Sequence, residues 1–204
     1  APHYFKINDL ETLVACVERV ASAAPQLPFY YYHIPVMTGL TLSMVELLRR
    51  AGERIDNFAG LKYTAHTLDE YAECVALDDG RFDVLFGYDE MLLPALAVGA
   101  QGAVGTTYNI AAPLYQRQIE HYRAGETQAA QQAHLRAVEM IRVLLKHPLH
   151  AAVKAVLEMI GVPCGPCRLP LKSLTESEKD RLQADLREIG YFQWARSSAA
   201  SLSS

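Results

Sequence analysis

The sequence predicts an α/β fold, the second half of a (β/α)8 barrel followed by a helical C-terminal extension. Short apolar segments alternate with helical patterns at spacings of roughly 20 to 30 residues, which is typical of βαβ units. This alternation stops after Tyr108, and only helical patterns follow it. The chain has 204 residues, whereas a complete barrel needs about 250. The number of segments therefore fits part of a barrel.

The composition excludes several classes of protein. Half of the residues are hydrophobic, 21% are charged, and the net charge is −4, which is typical of a globular protein with a full core. The sequence contains no run of basic residues, so nucleic-acid binding is not predicted. The longest apolar stretches, such as 91–98, are too short to span a bilayer. The opening residues 1–5 lack the charged and apolar regions of a signal peptide, so we expect no membrane partner.

Four short segments are predicted to form strands. They are rich in aromatic and aliphatic residues or in glycine and are bounded by residues that end strands. The segments are Phe29–Ile34, Phe58–Lys62, Phe82–Phe86 and Gly102–Gly105. The opening residues 1–5 fit the end of a further, preceding strand. Because helical segments separate these strands along the chain, the strands are predicted to be parallel.

Helices are predicted from apolar periodicity and from capping residues. We expect N-caps at Asn8, Ser43, Thr67 and Thr175. The long helix over 126–146 is expected to pack through one aliphatic face, formed by Leu135, Val138, Ile141 and Leu145. Three regions are predicted: a half-barrel over 1–110, its last helix with a helical extension over 111–192, and a disordered tail over 193–204.

The C-x-x-C motif from Cys164 to Cys167 is the one cysteine arrangement that suggests chemistry. A redox motif of this kind begins a helix after a strand, whereas this one follows a helix end at Gly161 and precedes an extended segment. A zinc site needs a second pair of ligands at suitable spacing, and the sequence lacks one. We therefore interpret the segment as a loop and predict no metal and no cofactor.

Chemically active side chains cluster where the predicted strands end. In barrel enzymes these ends meet on one face, where the active site lies. Lys62 stands out because it ends an apolar strand, where charged residues are seldom found. Burial of a lysine favours its neutral amine, the form that attacks a ketone to make a Schiff base. The alternative is an amine that pairs with a carboxylate or extends to the rim.

The other candidates also have structural alternatives. Tyr32 is aromatic and in a strand, so it is also typical of a core residue. Asp89 and Glu90 are also suited to cap the helix predicted from Met91. Thr106 and its neighbour Thr107 need do no more than satisfy nearby backbone groups.

Together these segments resemble the N-acetylneuraminate lyases, within the superfamily of dihydrodipicolinate synthases. The resemblance extends from residue 1 to about residue 192. It is strongest in four motifs, which occur in the family's order and at similar spacing. These are Tyr30–Pro35 with Thr38-Gly39, Gly60–Thr64, Leu85–Glu90 and Gly102–Asn109. The G-Y-D-E and G-T-T-Y-N forms favour the sialic acid branch over dihydrodipicolinate synthase.

The resemblance implies a class I aldolase that cleaves N-acetylneuraminate into pyruvate and N-acetylmannosamine. It implies that Lys62 forms the Schiff base and that Tyr32 relays the proton. Five further positions match residues that hold the keto acid or the sugar hydroxyls: Thr64, Gly87, Asp89, Glu90 and Thr106. The resemblance also implies sialic acid and pyruvate as small-molecule partners, a homotetramer and a cytoplasmic location.

The family's G-[ST]-T-G-E segment, which holds the substrate carboxylate, is absent from the 204 residues. Two alternatives therefore stay open. One is another pyruvate-dependent aldolase that acts on a 2-keto-3-deoxy sugar acid, and the other is an inactive half-barrel fragment. A half-barrel exposes sheet edges and apolar surface, so we expect the isolated chain to associate and to lack lyase activity.

Overall fold

A computed structural model describes residues 5–195 and divides the chain into two compact units. The first unit ends at Val104 and the second begins at Gly105. The opening segment over 1–4 and the tail over 196–204 lie outside the described residues.

The first unit alternates helices and strands, as the sequence predicts. Two single turns of 3-10 helix, Leu77–Gly80 and Asp89–Met91, lie on either side of the third strand. The strands are β1 (Phe29–His33), β2 (Phe58–Tyr63) and β3 (Asp83–Phe86). The helices are α1 (Leu10–Ala21), α2 (Pro35–Thr38), α3 (Met44–Arg54), α4 (Leu68–Ala76) and α5 (Leu92–Ala97).

The three strands form a parallel sheet in the order β1-β2-β3. The predicted fourth strand, 102–105, is reduced to one parallel bridge between Phe86 and Ala103. The Phe86 N–H donates to the Gly102 carbonyl at 3.0 Å, and the Val104 N–H donates to the Phe86 carbonyl at 2.9 Å. The strand prediction is therefore wrong in length, because two glycines leave the segment with little side chain to pack.

Alternate residues of the sheet face its helices and form the core of the first unit. Leu61, Tyr63 and Phe86 are fully buried. The ring of Tyr71 lies 5.5 Å from that of Tyr63 and 5.0 Å from that of Phe86, and its hydroxyl donates to the Val84 carbonyl at 2.9 Å. These contacts fix α4 against β2 and β3, and so fix the face on which the remaining side chains of β2 lie.

The described part of the second unit is helical. Its helices are α6 (Tyr108–Arg123), α7 (Thr127–Leu144), α8 (Leu149–Met159), α9 (Glu176–Glu188) and α10 (Tyr191–Trp194). Pro113 is accommodated because the backbone departs from helical geometry at Ala111, two residues before it. Helix α10 includes two residues of the predicted disordered tail, so that boundary was placed too early.

The buried face of α7 differs from the predicted one. Leu135 is 65% exposed and Leu145 is 57% exposed. Ile141 is buried as predicted, and the other buried residues are Ala130, Ala133, Ala137, Met140, Val143 and Leu144. Alanines allow a neighbouring helix to approach closely, and they repeat at helical spacing as regularly as the leucines do. Side-chain size was therefore a poor guide to this face.

Two of the four predicted N-caps are confirmed. Ser43 accepts from the Glu46 N–H, and Thr175 forms a complete capping box with Glu178. Helix α1 is capped by Asp9, which accepts from the Thr12 N–H at 2.8 Å, so the prediction of Asn8 was wrong by one residue. Thr67 makes no side-chain cap.

Candidate active site

Lys62 and Tyr32 are side by side because β1 and β2 are parallel and in register. Tyr32 pairs with Lys62 in the ladder, and Leu85 pairs with Lys62 on the other side. Side chains of paired residues lie on the same face of a sheet. The Lys62 Nζ therefore lies over the Tyr32 ring, 4.1 Å from its centroid. This is a cation–π contact, in which the ring faces a positive nitrogen.

The ladder continues for one rung beyond the strands and brings Thr64 and Gly87 to Lys62. The Thr64 N–H donates to the His33 carbonyl at 2.8 Å, and the Gly87 N–H donates to the Tyr63 carbonyl at 2.8 Å. A Cβ atom at position 87 would lie 2.0 Å from Thr64 Oγ1 and 3.1 Å from Lys62 Cε. Only glycine leaves room there for both side chains.

The two carboxylates lie in the turn that follows β3. Asp89 is 7% exposed, and Glu90 is half-buried. The N-cap position of α5 is occupied by Met91, so neither carboxylate occupies it. Both residues follow the carboxyl end of β3, which pairs with β2. Lys62 and Thr64 lie at the carboxyl end of β2.

Thr106 belongs to the second unit and lies just before α6. Its backbone carbonyl accepts from Asn109 Nδ2 at 2.9 Å, and its side chain is exposed. The Thr107 hydroxyl is buried and lies 2.6 Å from the Tyr115 hydroxyl. The Thr107 hydroxyl therefore has a side-chain partner within the second unit.

His33 was not selected as a site residue from the sequence, although it ends β1 directly after Tyr32. It is 4% exposed, and its ring lies 4.9 Å from the Tyr63 ring. Burial lowers the pKa of His33, and the charge of Glu70 opposes this effect only in part, so the ring is neutral at neutral pH. The one sequence signal was a histidine inside the Tyr30–Pro35 motif.

The cysteine pair lies in the irregular segment between α8 and α9, which confirms the loop interpretation. Cys164 and Cys167 are both free thiols. Lys154 Nζ holds the loop by donating to the carbonyls of Cys164, Gly165 and Pro166. Within residues 5–195, no three His, Cys, Asp or Glu side chains are grouped so as to hold a metal ion. No described helix is long and apolar enough to cross a membrane.

The chain is similar to known proteins over most of its length. The N-acetylneuraminate lyase of Mus musculus is 37% identical over 194 residues, which are 94% of this chain and 61% of the mouse protein. The solved N-acetylneuraminate lyase of Aliivibrio salmonicida is 40% identical, with a TM-score of 0.90 over 94% of this chain and 63% of that one. A solved dihydrodipicolinate synthase of Bacillus anthracis is 31% identical, with a TM-score of 0.82 over 92% of this chain and 63% of that one.

The chain thus spans a little over three-fifths of the length of the relatives that it matches. The family model of the dihydrodipicolinate synthetases matches residues 1–189, which include both units up to the end of α9. The fold of this family is an α/β fold of the TIM-barrel type, and the parallel sheet with its helices is part of such a fold. The chain belongs to the dihydrodipicolinate synthetase family.

Proposed function

We propose that the chain carries the Schiff-base centre of a sialic acid aldolase, which cleaves N-acetylneuraminate into pyruvate and N-acetylmannosamine. The observation that carries this proposal is the placement of Lys62 at the carboxyl end of a parallel strand, with Tyr32 against its amine and Thr64 and Gly87 beside it. A lysine, a phenol and a hydroxyl at one strand end supply the groups that a class I aldolase needs.

The reaction begins when the neutral amine of Lys62 attacks the C2 ketone of the open-chain sugar. Loss of water gives an iminium, whose positive nitrogen accepts the electron pair of the C3–C4 bond. Tyr32 removes the proton of the C4 hydroxyl by way of the substrate carboxylate, so that the C4 carbonyl of N-acetylmannosamine forms as the bond breaks. The remaining enamine takes up a proton at C3, and water then releases pyruvate and regenerates Lys62.

The Tyr32 ring has a second role in this mechanism. It faces the amine of Lys62 at 4.1 Å, and the nitrogen stays positive when the ammonium is replaced by the iminium. A ring face that attracts the one cation also attracts the other. The same side chain is thus proposed to face the nitrogen with its ring in both charged forms and to move the proton with its hydroxyl.

The remaining proposed contacts bind the substrate. Thr64 and Gly87 border Lys62 and are proposed to hold the keto acid, whereas Asp89, Glu90 and Thr106 are proposed to accept from the sugar hydroxyls. A polyol favours such acceptors, because each buried hydroxyl without a partner costs about 1–3 kcal/mol. The higher identity to the lyase of A. salmonicida than to the synthase of B. anthracis supports a sugar substrate.

The proposed assembly is the second half of a barrel with a helical C-terminal extension, in a cytoplasmic homotetramer. Parallel sheets are normally covered on both faces. Here the face that carries Lys62 also carries Tyr30 and Tyr32, which are 37% and 42% exposed. This exposure supports the proposal that further strands complete the active enzyme.

Pyruvate release separates the candidate functions. N-acetylneuraminate and a 2-keto-3-deoxy sugar acid are supplied to the 204-residue chain. In parallel they are supplied to a chimera. This chimera joins the 204-residue chain to the part of the A. salmonicida lyase that the chain does not match, so that the barrel is complete. We expect release from N-acetylneuraminate by the chimera, and its loss in Lys62→Ala but not in the control Lys172→Ala. Release from the keto-deoxy acid alone would favour the other aldolase, and no release from either would favour an inactive fragment.

A further inference from the structure

A cavity of about 440 Å³ lies at the carboxyl ends of β1 and β2, beneath the segment that joins α2 to α3. Thr64 forms part of its wall, and the Thr64 hydroxyl lies beside Lys62 and Gly87. Thr64 therefore borders both the cavity and Lys62. His33 forms another part of the wall, on the face of β1 opposite to Tyr32.

Two buried polar atoms in this wall have no hydrogen-bond partner within the described part of the chain. They are His33 Nδ1 and Thr64 Oγ1, and their residues are 4% and 9% exposed. Buried polar atoms in folded proteins nearly always have a partner. Two such atoms on one cavity wall indicate a ligand that both donates and accepts hydrogen bonds. A neutral imidazole and a hydroxyl can each donate and accept.

The rest of the wall indicates a ligand that is neutral and partly apolar. Pro35, Val36 and Leu40 supply aliphatic surface. The one carboxylate in the wall, that of Glu70, already accepts from the Met44 N–H at 2.9 Å and from the Tyr63 hydroxyl at 2.7 Å. The described wall residues therefore offer no carboxylate without a hydrogen-bond partner to bind a cationic ligand.

An acetamido group has the required properties, because its N–H donates, its carbonyl accepts and its methyl group is apolar. We propose that the cavity binds the N-acetyl group of the sugar, with His33 Nδ1 as its hydrogen-bond partner, and that Thr64 Oγ1, beside Lys62, binds the keto acid of the same molecule. This inference rests on the proposed function, since it extends the same site to a substituent remote from the reacting ketone. His33 is then a residue that determines specificity for the N-acyl sugar.

The experiment compares N-acetylmannosamine with mannose, which carries a hydroxyl in place of the acetamido group. Binding to the 204-residue chain and to the chimera is measured by ligand-observed NMR, so that it does not depend on turnover. We expect N-acetylmannosamine to bind at least tenfold more tightly, which is the effect of one or two hydrogen bonds of ordinary strength. His33→Phe keeps a ring against Tyr63 but removes both nitrogens, and it should abolish this preference.

His150→Phe is the matched control, because His150 is exposed and lies in the second unit. It should keep the preference. His33→Asn restores a donor and an acceptor and should keep part of the preference, so it replaces the Phe variant if that variant does not fold. Equal binding of the two sugars, no binding of either, or an unchanged preference in His33→Phe would overturn the inference. Borohydride trapping of pyruvate at Lys62 tests the proposed function separately, because pyruvate has no acetamido group.

Discussion

The two proposed roles of Tyr32 are separable by substitution. Tyr32→Phe removes the hydroxyl and keeps the ring beneath the Lys62 nitrogen, whereas Tyr32→Leu removes both. The nitrogen lies 4.1 Å from the ring centroid, and Tyr32 is 42% exposed. A cation–π contact in such an exposed position contributes about 0.5–1 kcal/mol. Because the ring attracts the ammonium and the iminium alike, this contribution cancels, and loss of the ring should change the equilibrium of iminium formation by less than about twofold.

The assay titrates pyruvate against the chimera and measures the yield of borohydride-trapped adduct at each concentration. Tyr32→Phe and Tyr32→Leu should both need the same pyruvate concentration for half-maximal trapping as the wild type, within about twofold. Cleavage of N-acetylneuraminate should slow by roughly 10²–10⁴ in both, the usual size of general acid–base catalysis. If the Leu variant needs several-fold more pyruvate than the Phe variant, the ring stabilises the iminium more than the ammonium. If cleavage is unchanged in both, Tyr32 is a packing residue.

Three further predictions concern the same strand ends. Gly87→Ala should abolish pyruvate trapping, because its Cβ would lie 2.0 Å from the Thr64 hydroxyl; retention of trapping in an intact-mass assay would show that the site relaxes easily. Asp89→Ala and Glu90→Ala should each reduce turnover of N-acetylneuraminate more than trapping of bare pyruvate, and equal losses would mean that the carboxylates only support the local fold. Because burial lowers the pKa of His33 from 6.5, its protonation favours the unfolded chain, so stability present above pH 6.5 should be lost as pH falls below it. Urea titrations should show a weaker loss in His33→Phe, and an equal loss would place the effect elsewhere, for example at His134, whose pKa burial also lowers.

The first three strands and the position of Lys62 were predictable because they follow from local rules. A strand exposes alternate residues on each face, and parallel strands in register place their carboxyl ends together. Lys62 at the end of an apolar segment could therefore be placed beside the end of β1 without the structure. The assignment of a catalytic role to these residues stays a prediction, since the relatives support a family and not the role of a particular side chain.

Features that depend on packing were not predictable in the same way. The buried face of α7 is chosen by how closely its neighbours approach, so Ala133 and Ala137 are buried and Leu135 is exposed. His33 has no local signature, because its interest lies in the absence of a hydrogen-bond partner and in the cavity beside it. Sequence periodicity predicts which way a side chain points, but it does not describe what surrounds that side chain.

The central claim is that Lys62 forms a Schiff base with pyruvate. It is tested most directly by reduction with borohydride in the presence of pyruvate, followed by peptide mapping of the modified lysine. The account predicts one adduct, located on Lys62, in the chimera that completes the barrel, and no adduct in Lys62→Ala. An adduct on any other lysine, or an adduct that persists in Lys62→Ala, would contradict it.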